Sequence, residues 1–203
     1  MTPTARTAIT LAALSLAAGS APAMAQSMGA GRMNGAQVAK MTRGWPMASR
    51  DAIAFLTKKY GGPAAVTADM AVWGRTGPWK RTIVYKVEQP HEFPGHHTDV
   101  MQQWIDYKAE PDMYDELAKY DGSVVVERTS GEISARCDKE GANFLALNLA
   151  DEVARGKRSV DDARRMYGEQ IMAMKAMKPA PYTEKLLFAP MSRTNDPDRP
   201  LGM

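Results

Sequence analysis

Residues 123–137 constrain the fold most strongly, because they have the pattern of a β-hairpin. Two runs flank the turn sequence Thr129-Ser130-Gly131, namely 124–128 and 132–137. The first run is rich in β-branched valine, and the second alternates polar and apolar residues. One face of the second run carries Ile133, Ala135 and Cys137. Such alternation is typical of a strand with one side against a core. The chain is therefore expected to build an antiparallel sheet that is covered on one face.

A second hairpin is predicted upstream of the first. A short strand at 70–73 precedes a turn at 74–78, and residues 81–88 alternate well. Helices are predicted from a cap at Ser49 to Tyr60, at 111–119, at 142–155, and after a cap at Ser159. The predicted fold class is α+β, with a mainly antiparallel sheet from two hairpins and helices packed on one face.

The stretch between the two hairpins is ambiguous. Prolines and a glycine in residues 90–99 predict a loop. After this loop, apolar residues at 100, 101, 104 and 105 favour an amphipathic helix capped by Thr98. A strand through 101–107 is the alternative, because the same residues also half-alternate.

Residues 1–25 have the pattern of a secretory signal peptide, which we expect to be cleaved near Ala25. Arg6 supplies a positive charge, residues 8–18 form a short apolar core, and Ala23-Met24-Ala25 matches an A-x-A cleavage site. The apolar run is too short to span a bilayer as a helix. We therefore expect a soluble protein, periplasmic or secreted, with no transmembrane segment.

The remaining chain divides into three parts by composition. Residues 26–44 lack periodicity and are predicted to be a flexible N-terminal lead-in. Residues 45–178 carry the predicted elements and are expected to form a single α+β domain, which is long enough for a sizeable core. Residues 179–203 contain five prolines and are predicted to be an irregular tail, in which 185–188 form a candidate docking patch.

Charge and cysteine content exclude several classes of protein. The predicted mature chain has 25 Lys and Arg (26 less Arg6) against 23 Asp and Glu, a net charge of +2. This balance does not favour nucleic acid as a partner. Cys137 is the only cysteine, so no intramolecular disulfide can form. Stability therefore has to come from an apolar core.

All three histidines of the chain lie within seven residues, which makes this segment the main candidate site. His91, His96, His97 and Asp99 are the candidate metal ligands. Imidazole and carboxylate groups are usual ligands of zinc and copper. His97 and Asp99 point the same way if the chain is extended, and folding back across Pro94-Gly95 would bring His91 to them.

The histidine segment does not encode a zinc-protease helix. Its spacing is H-E-x-x-x-H, whereas two ligands on one helix face need i, i+4 spacing, and Pro94-Gly95 would break a helix. The alternative to a metal site is a solvated loop that happens to hold the histidines.

Sulfur-containing residues offer two weaker candidates. Cys137 lies on the apolar face of a predicted strand, and a buried, inert thiol is favoured over a nucleophile because no nucleophile signature surrounds it. Met174 and Met177 are predicted to pack in the core with Ile171. The alternative for these methionines, with Met172, is a Cu(I) site.

Residues 52–85 resemble small envelope domains of the BamE (SmpA/OmlA-like) family and the β-lactamase-inhibitor-like fold, in which a helix, a G-x-P sequence and paired strands follow one another. The segments that carry the resemblance are 52–63, 72–73 and 83–85. It implies a binding or assembly module rather than an enzyme. Three further segments look like exported bacterial proteins to which no activity is assigned, namely 79–85, 121–128 and 134–138.

We therefore expect an exported, non-enzymatic binding or envelope-associated protein. Its partner is expected to be a protein or small molecule of the envelope rather than nucleic acid. The alternative is a periplasmic transition-metal binding protein that uses the His91–Asp99 cluster for zinc or copper. A less favoured alternative is an enzyme that depends on Cys137. The sequence assigns no catalytic residue, and no cofactor other than this metal.

Overall fold

The computed structural model describes residues 31–189 and 191–202. The predicted signal peptide lies outside the described residues. Within them, the α+β fold class is confirmed: five α-helices accompany a six-stranded antiparallel sheet. The elements are α1 (Gly35–Met41), α2 (Met47–Tyr60), β1 (Ala65–Val66), β2 (Met70–Trp73), β3 (Arg81–His91), β4 (His97–Asp106), α3 (Tyr114–Tyr120), β5 (Val124–Glu127), β6 (Glu132–Cys137), α4 (Glu140–Ala154) and α5 (Val160–Lys175), with 3₁₀ turns at Pro111–Met113 and Pro181–Thr183.

The strands lie in the order β1-β2-β3-β4-β6-β5, and every neighbouring pair is antiparallel. Both predicted hairpins, β2–β3 and β5–β6, are confirmed. Strand β4 joins them, because it pairs with β3 on one side and with β6 on the other. Residues 101–104 of β4 therefore have a neighbouring strand on each side, whereas the end of β4 that carries His97 extends past the end of β6 and pairs with β3 alone.

One face of the sheet holds the core and is covered by helices. Met101 packs with Leu56 of α2, and the adjacent Gln103 receives a hydrogen bond from Asn143 of α4. Further along α4, Phe144 stacks on Trp79, with ring centroids 4.7 Å apart. The side chains of these two helices therefore meet the same sheet face, and burial of this apolar surface is the main favourable contribution to folding.

The favoured helical prediction for residues 100–105 is wrong, and the strand alternative holds. In β4, Met101, Gln103 and Ile105 are buried, whereas Gln102 and Trp104 are only half-buried on the opposite face. Gln103 is polar at an inward position and Trp104 is aromatic at an outward position. The alternation of apolar and polar residues that marks a strand is therefore weak in this sequence. Pairing with strands on both sides then overrides local helix preference.

The predicted loop at 90–99 is also shorter than expected. Strand β3 continues to His91 and β4 begins at His97, so only residues 92–96 form the turn. Strand β2 pairs with β3 no further than Tyr85. Beyond that point β3 is an edge strand on that side, and an edge tolerates the missing N–H of Pro90.

Two expectations about the N-terminal region are corrected. Helix α1 lies within the predicted lead-in; Asn34 and Gln37 form a capping box, and Val38 is buried in the same core cluster as Leu56. Ser49 is not an N-cap, because α2 already begins at Met47. Its hydroxyl instead donates to the carbonyl oxygen of Tyr85 at 2.7 Å.

The C-terminal region follows the predicted pattern in part. Ser159 caps α5 as predicted, and the tail contains no α-helix or strand among its described residues. Leu186 and Phe188 of the tail pack against the core. The prediction that Met174 and Met177 are core residues is wrong for Met177, which follows α5 and is 95% exposed. Within the described part of the chain, no helix has the length and apolar character needed to cross a bilayer.

Candidate metal centre

The β3–β4 hairpin brings two of the histidines face to face. His91, the last residue of β3, pairs directly with His97, the first residue of β4, and their ring centroids are 4.9 Å apart. Asp99 lies two residues further along β4 and therefore points to the same face as His97. This face is the one that carries Met101 and Gln103, so the three side chains point toward the helices.

Three donor groups converge at this end of the hairpin. Nδ1 of His91 lies 3.2 Å from Oδ2 of Asp99, and Nε2 of His97 lies 3.2 Å from Oδ1 of the same carboxylate. One ligand atom from each of the three residues can be chosen so that all lie within 4.8 Å of one another. Two imidazoles and one carboxylate at this separation can hold a single ion after small rotations of the side chains.

Asp99 is the most deeply buried member of the cluster, with no exposed side-chain surface. Its Oδ2 accepts a hydrogen bond from the hydroxyl of Ser123. The contact of Oδ1 with His97 lacks hydrogen-bond geometry, so among the described residues Oδ1 is a buried oxygen with no hydrogen-bond partner. An unsatisfied buried carboxylate oxygen is costly unless a cation or another donor approaches it.

The electrostatics of the cluster favour a negative carboxylate beside a positive group. Burial alone would raise the pKa of Asp99, but its contacts with His97 and Ser123 outweigh burial and hold that pKa below the ordinary value. The contact with Asp99, followed by the contact with Cys137, raises the pKa of His97 to about 11. Asp99 is thus ionised at neutral pH, and the charge beside it is either the imidazolium of His97 or a metal ion.

A second carboxylate lies behind the cluster. Oδ1 of Asp121 is 3.7 Å from Nε2 of His91 and accepts a hydrogen bond of 2.8 Å from the backbone N–H of Ser123. Burial raises the pKa of Asp121 above its ordinary value. A carboxylate on the far side of a ligating imidazole orients the ring, and metal-binding histidines usually have such a partner.

The turn that joins the two histidine strands is held against α5. The guanidinium of Arg164 lies 3.8 Å from the ring centroid of Phe93, and the same side chain donates to the carbonyl oxygen of Tyr120 at 2.7 Å. The Phe93 ring also packs against Tyr167, with centroids 5.0 Å apart. These contacts fix the turn and thereby position His91 and His97.

His96 lies apart from the other predicted ligands. Its side chain is 76% exposed and contacts Glu92 at 2.8 Å on the outside of the turn. The structure therefore brings three of the four predicted ligands together and leaves the fourth in solvent. Since His96 and His97 are adjacent in sequence, the alternation of side chains at the start of β4 separates them.

Cys137 lies beside the cluster, at the end of β6. It is 5% exposed, and burial raises the pKa of its thiol above the ordinary value despite the opposing effect of His97. A neutral, buried thiol is a poor nucleophile. This geometry favours the inert interpretation of Cys137, although its sulfur contacts one of the candidate ligands.

A cavity of about 470 Å³ adjoins the cluster between the sheet end and α5. Only His97 among the three clustered residues lines it, together with Cys137 from the neighbouring strand. The rest of its wall is contributed by residues 94–96, 98, 138–139, 142, 167–168, 171–172 and 174–175. Its volume is within the range typical of small-molecule sites.

Two polar residues of the site, Asp121 and Ser123, were missed by sequence reasoning. They precede β5, far from the histidines in sequence. Because β4 and β5 both run antiparallel to β6, the two strands begin at the same end of the sheet, beyond the point where β6 ends at Cys137. No local pattern marks them. The Asp-Gly-Ser sequence at 121–123 indicated only the start of a hairpin.

Comparison of the chain with protein-family models, with curated proteins and with solved structures finds no match. The resemblance to BamE-like domains therefore stays a prediction.

Proposed function

We propose that the protein binds one divalent transition-metal ion, zinc in the first place, through His91, His97 and Asp99. The observation that carries the proposal is the convergence of three ligand atoms within 4.8 Å around a buried carboxylate oxygen that lacks a hydrogen-bond partner among the described residues. A cation between the imidazoles would satisfy that oxygen and would offset the cost of burying Asp99.

The donor set selects among metals. Two nitrogens and one oxygen suit Zn²⁺ and Cu²⁺, whereas Cu(I) prefers sulfur ligands. The methionines do not supply such a set at this site, because Met172 on α5 and Met177 beyond its end are both exposed. The same two-histidine, one-carboxylate set also serves ferrous iron in some oxygenases, so iron is a necessary comparison in any titration.

The competing interpretation is a purely structural ion pair. An imidazolium of His97 beside the Asp99 carboxylate would hold the hairpin end together without any metal. The two interpretations differ in what a metal does to the protein. A metal site takes up an ion and releases a proton from His97, whereas a structural ion pair binds no metal and releases no proton.

The wider setting of this proposal is export. The first 25 residues predict secretion, and a metal-binding protein outside the cytoplasm is one form of the binding protein that the sequence suggests. The proposal assigns no reaction to the protein. An enzyme that depends on Cys137 is disfavoured by the burial and raised pKa of that thiol.

The test is equilibrium dialysis of the purified protein against Zn²⁺, Cu²⁺ and Fe²⁺, with bound metal measured by mass spectrometry. We expect one equivalent of zinc in the wild type. In His97→Ala we expect a loss of zinc affinity of at least about 100-fold, because the site loses one of its three protein ligands. The matched control is His96→Ala, an adjacent imidazole outside the cluster, which should bind like the wild type. A wild type that binds no metal overturns the proposal, as does equal loss in both variants.

A further inference from the structure

The approach to the proposed metal is restricted to one side. Asp99 has no exposed side-chain surface, and His91 packs against Phe93 and Asp121. His97 is the one clustered residue that lines the 470 Å³ cavity. A small molecule can therefore reach an ion at this site from the cavity. Three protein ligands also leave one position of a tetrahedral ion open.

The charged groups around the cavity favour an anion. Lys139 is paired with Asp138 at 2.8 Å, so these two charges offset each other. Lys175, which also lines the cavity, forms no ion pair with any described residue. Even with both nearby carboxylates negative, Asp99 and Asp121 only offset the charge of a divalent ion, so Lys175 leaves the cavity with an excess of positive charge, and such a field attracts anions.

Part of the remaining wall is apolar and adaptable, and the polar side chains of His96 and Thr98 also line the cavity. Ala142, Ile171, Met172 and Met174 line the cavity, and methionine side chains adjust readily to the shape of a ligand. A neighbouring cavity of about 560 Å³ shares Asp138, Lys139 and Met174 with the first and continues along apolar residues of α2. Those residues are Met47, Ala48, Ala52 and Phe55. The apolar surface is thus long enough for an alkyl chain.

Gly168 keeps the helical wall of the cavity open. It lies in the middle of α5, where glycine is the least favourable residue apart from proline. A Cβ atom built on it would meet nothing within 4 Å. Because its position lines the cavity, a larger side chain there would fill space that a ligand could occupy.

We propose that the cavity binds a linear carboxylate with an apolar chain, whose carboxylate takes the open position of the metal. The inference rests on the proposed metal site, since the ion supplies the charge that holds the carboxylate at His97. The alkyl chain lies along Ile171, Met172 and Met174.

The experiment uses the protein loaded with Co²⁺, whose visible absorption bands respond to a change of ligand. Acetate and octanoate are the two probes. We expect both to shift the bands saturably, and octanoate to bind at least about tenfold more tightly, since burial of even two methylene groups accounts for that factor. Gly168→Phe should take up cobalt normally and lose the preference for octanoate. Glu169→Phe, the solvent-facing neighbour on the same helix, is the matched control and should retain the preference.

Met172→Glu is a second variant at an exposed cavity position, where the fold is not at risk. Its negative charge should weaken octanoate binding about tenfold without loss of cobalt. A protein that takes up no cobalt overturns both proposals. A cobalt protein whose spectrum ignores both probes, or that binds acetate and octanoate equally, overturns this inference alone. Unchanged octanoate binding in both Gly168→Phe and Met172→Glu also overturns it.

Discussion

Oδ1 of Asp99 lies 3.2 Å from Nε2 of His97, yet this fully buried oxygen has no hydrogen-bond partner among the described residues. The two residues are separated by one position on β4, and the His91 ring faces them from β3. The turn end of the β3–β4 hairpin thus holds two half-buried imidazoles beside a buried carboxylate. The proposed metal site follows from this arrangement.

The hydroxyl of Ser123 is predicted to orient the metal-binding carboxylate. It donates to Oδ2 of Asp99, so Ser123→Ala should leave that oxygen free to rotate and lower zinc affinity about tenfold. Zinc affinity measured by competition with a chromophoric chelator checks this. Ser130→Ala is the control, because Ser130 is exposed in the turn between β5 and β6. This variant should bind zinc with the affinity of the wild type. Equal zinc affinity in Ser123→Ala and wild type would show that the hydroxyl plays no part.

Glu140 is predicted to be the most important buried charge for stability. Its carboxylate accepts hydrogen bonds from the Tyr60 hydroxyl at 2.8 Å, from Nε1 of Trp79 at 2.7 Å and from Nε2 of Gln103 at 3.3 Å, and it pairs with Lys59. Glu140→Ala leaves several buried donors unsatisfied and should lower the free energy of unfolding by about 3 kcal/mol. Urea unfolding measures the loss.

The matched control for Glu140 is Glu110→Ala, at an exposed position before the 3₁₀ turn, which should stay within about 0.5 kcal/mol of the wild type. If Glu140→Ala lowers the free energy of unfolding by less than about 1 kcal/mol, water has taken the place of the carboxylate as acceptor for these buried donors.

Two glycines in helical surroundings should respond oppositely to alanine. Gly168 lies inside α5 with open space at its Cβ position, so Gly168→Ala should stabilise the protein by about 0.5–1 kcal/mol. Gly156 follows α4 with φ of 64°, which an L side chain rarely adopts, so Gly156→Ala should destabilise it by about 1 kcal/mol. Thermal unfolding of the two variants checks the signs. The same sign in both would contradict the assigned backbone conformations.

The stability of the protein is predicted to fall in acid, partly through Glu132. Hydrogen bonds from Arg81 hold the pKa of Glu132 below its ordinary value, and Lys80 adds to this effect. Because the pKa is lowered in the folded state, the stabilisation is complete above the ordinary value of 4.5 and is lost as the pH falls through the folded-state pKa.

Glu132→Gln isolates this contribution. The variant should be less stable than the wild type at pH 7, and the difference should shrink as the pH falls toward 3. Urea unfolding at several pH values provides the measurement. A difference that stays constant with pH would show that the charge of Glu132 does not contribute.

Local sequence signals predicted the hairpins and the last helix well. The β5–β6 hairpin has a turn glycine, Gly131, at φ of 62°, and α5 has Ser159 as its cap. Strand β4 was harder to predict, because polar Gln103 faces the core and aromatic Trp104 faces outward, opposite to the usual alternation of a strand. Its strand conformation depends on pairing with β3 and β6, which no window of neighbouring residues contains.

The site was predictable only in part for the same reason. His97 and Asp99 share a face through the two-residue period of a strand, which the sequence shows. The position of His91 depends on the register across the turn, and those of Asp121 and Ser123 depend on the strand order. The exclusion of His96 depends on the residue at which β4 begins.

X-ray absorption at the zinc edge tests the central claim most directly. The protein loaded with one equivalent of Zn²⁺ should show imidazole nitrogen and oxygen ligands at about 2.0–2.1 Å, and Asp99→Asn should lose the ion. A sulfur ligand at about 2.3 Å would place the metal on Cys137 instead. Failure of the wild type to retain zinc would contradict the account and would leave His97 and Asp99 as an ion pair that holds the hairpin end.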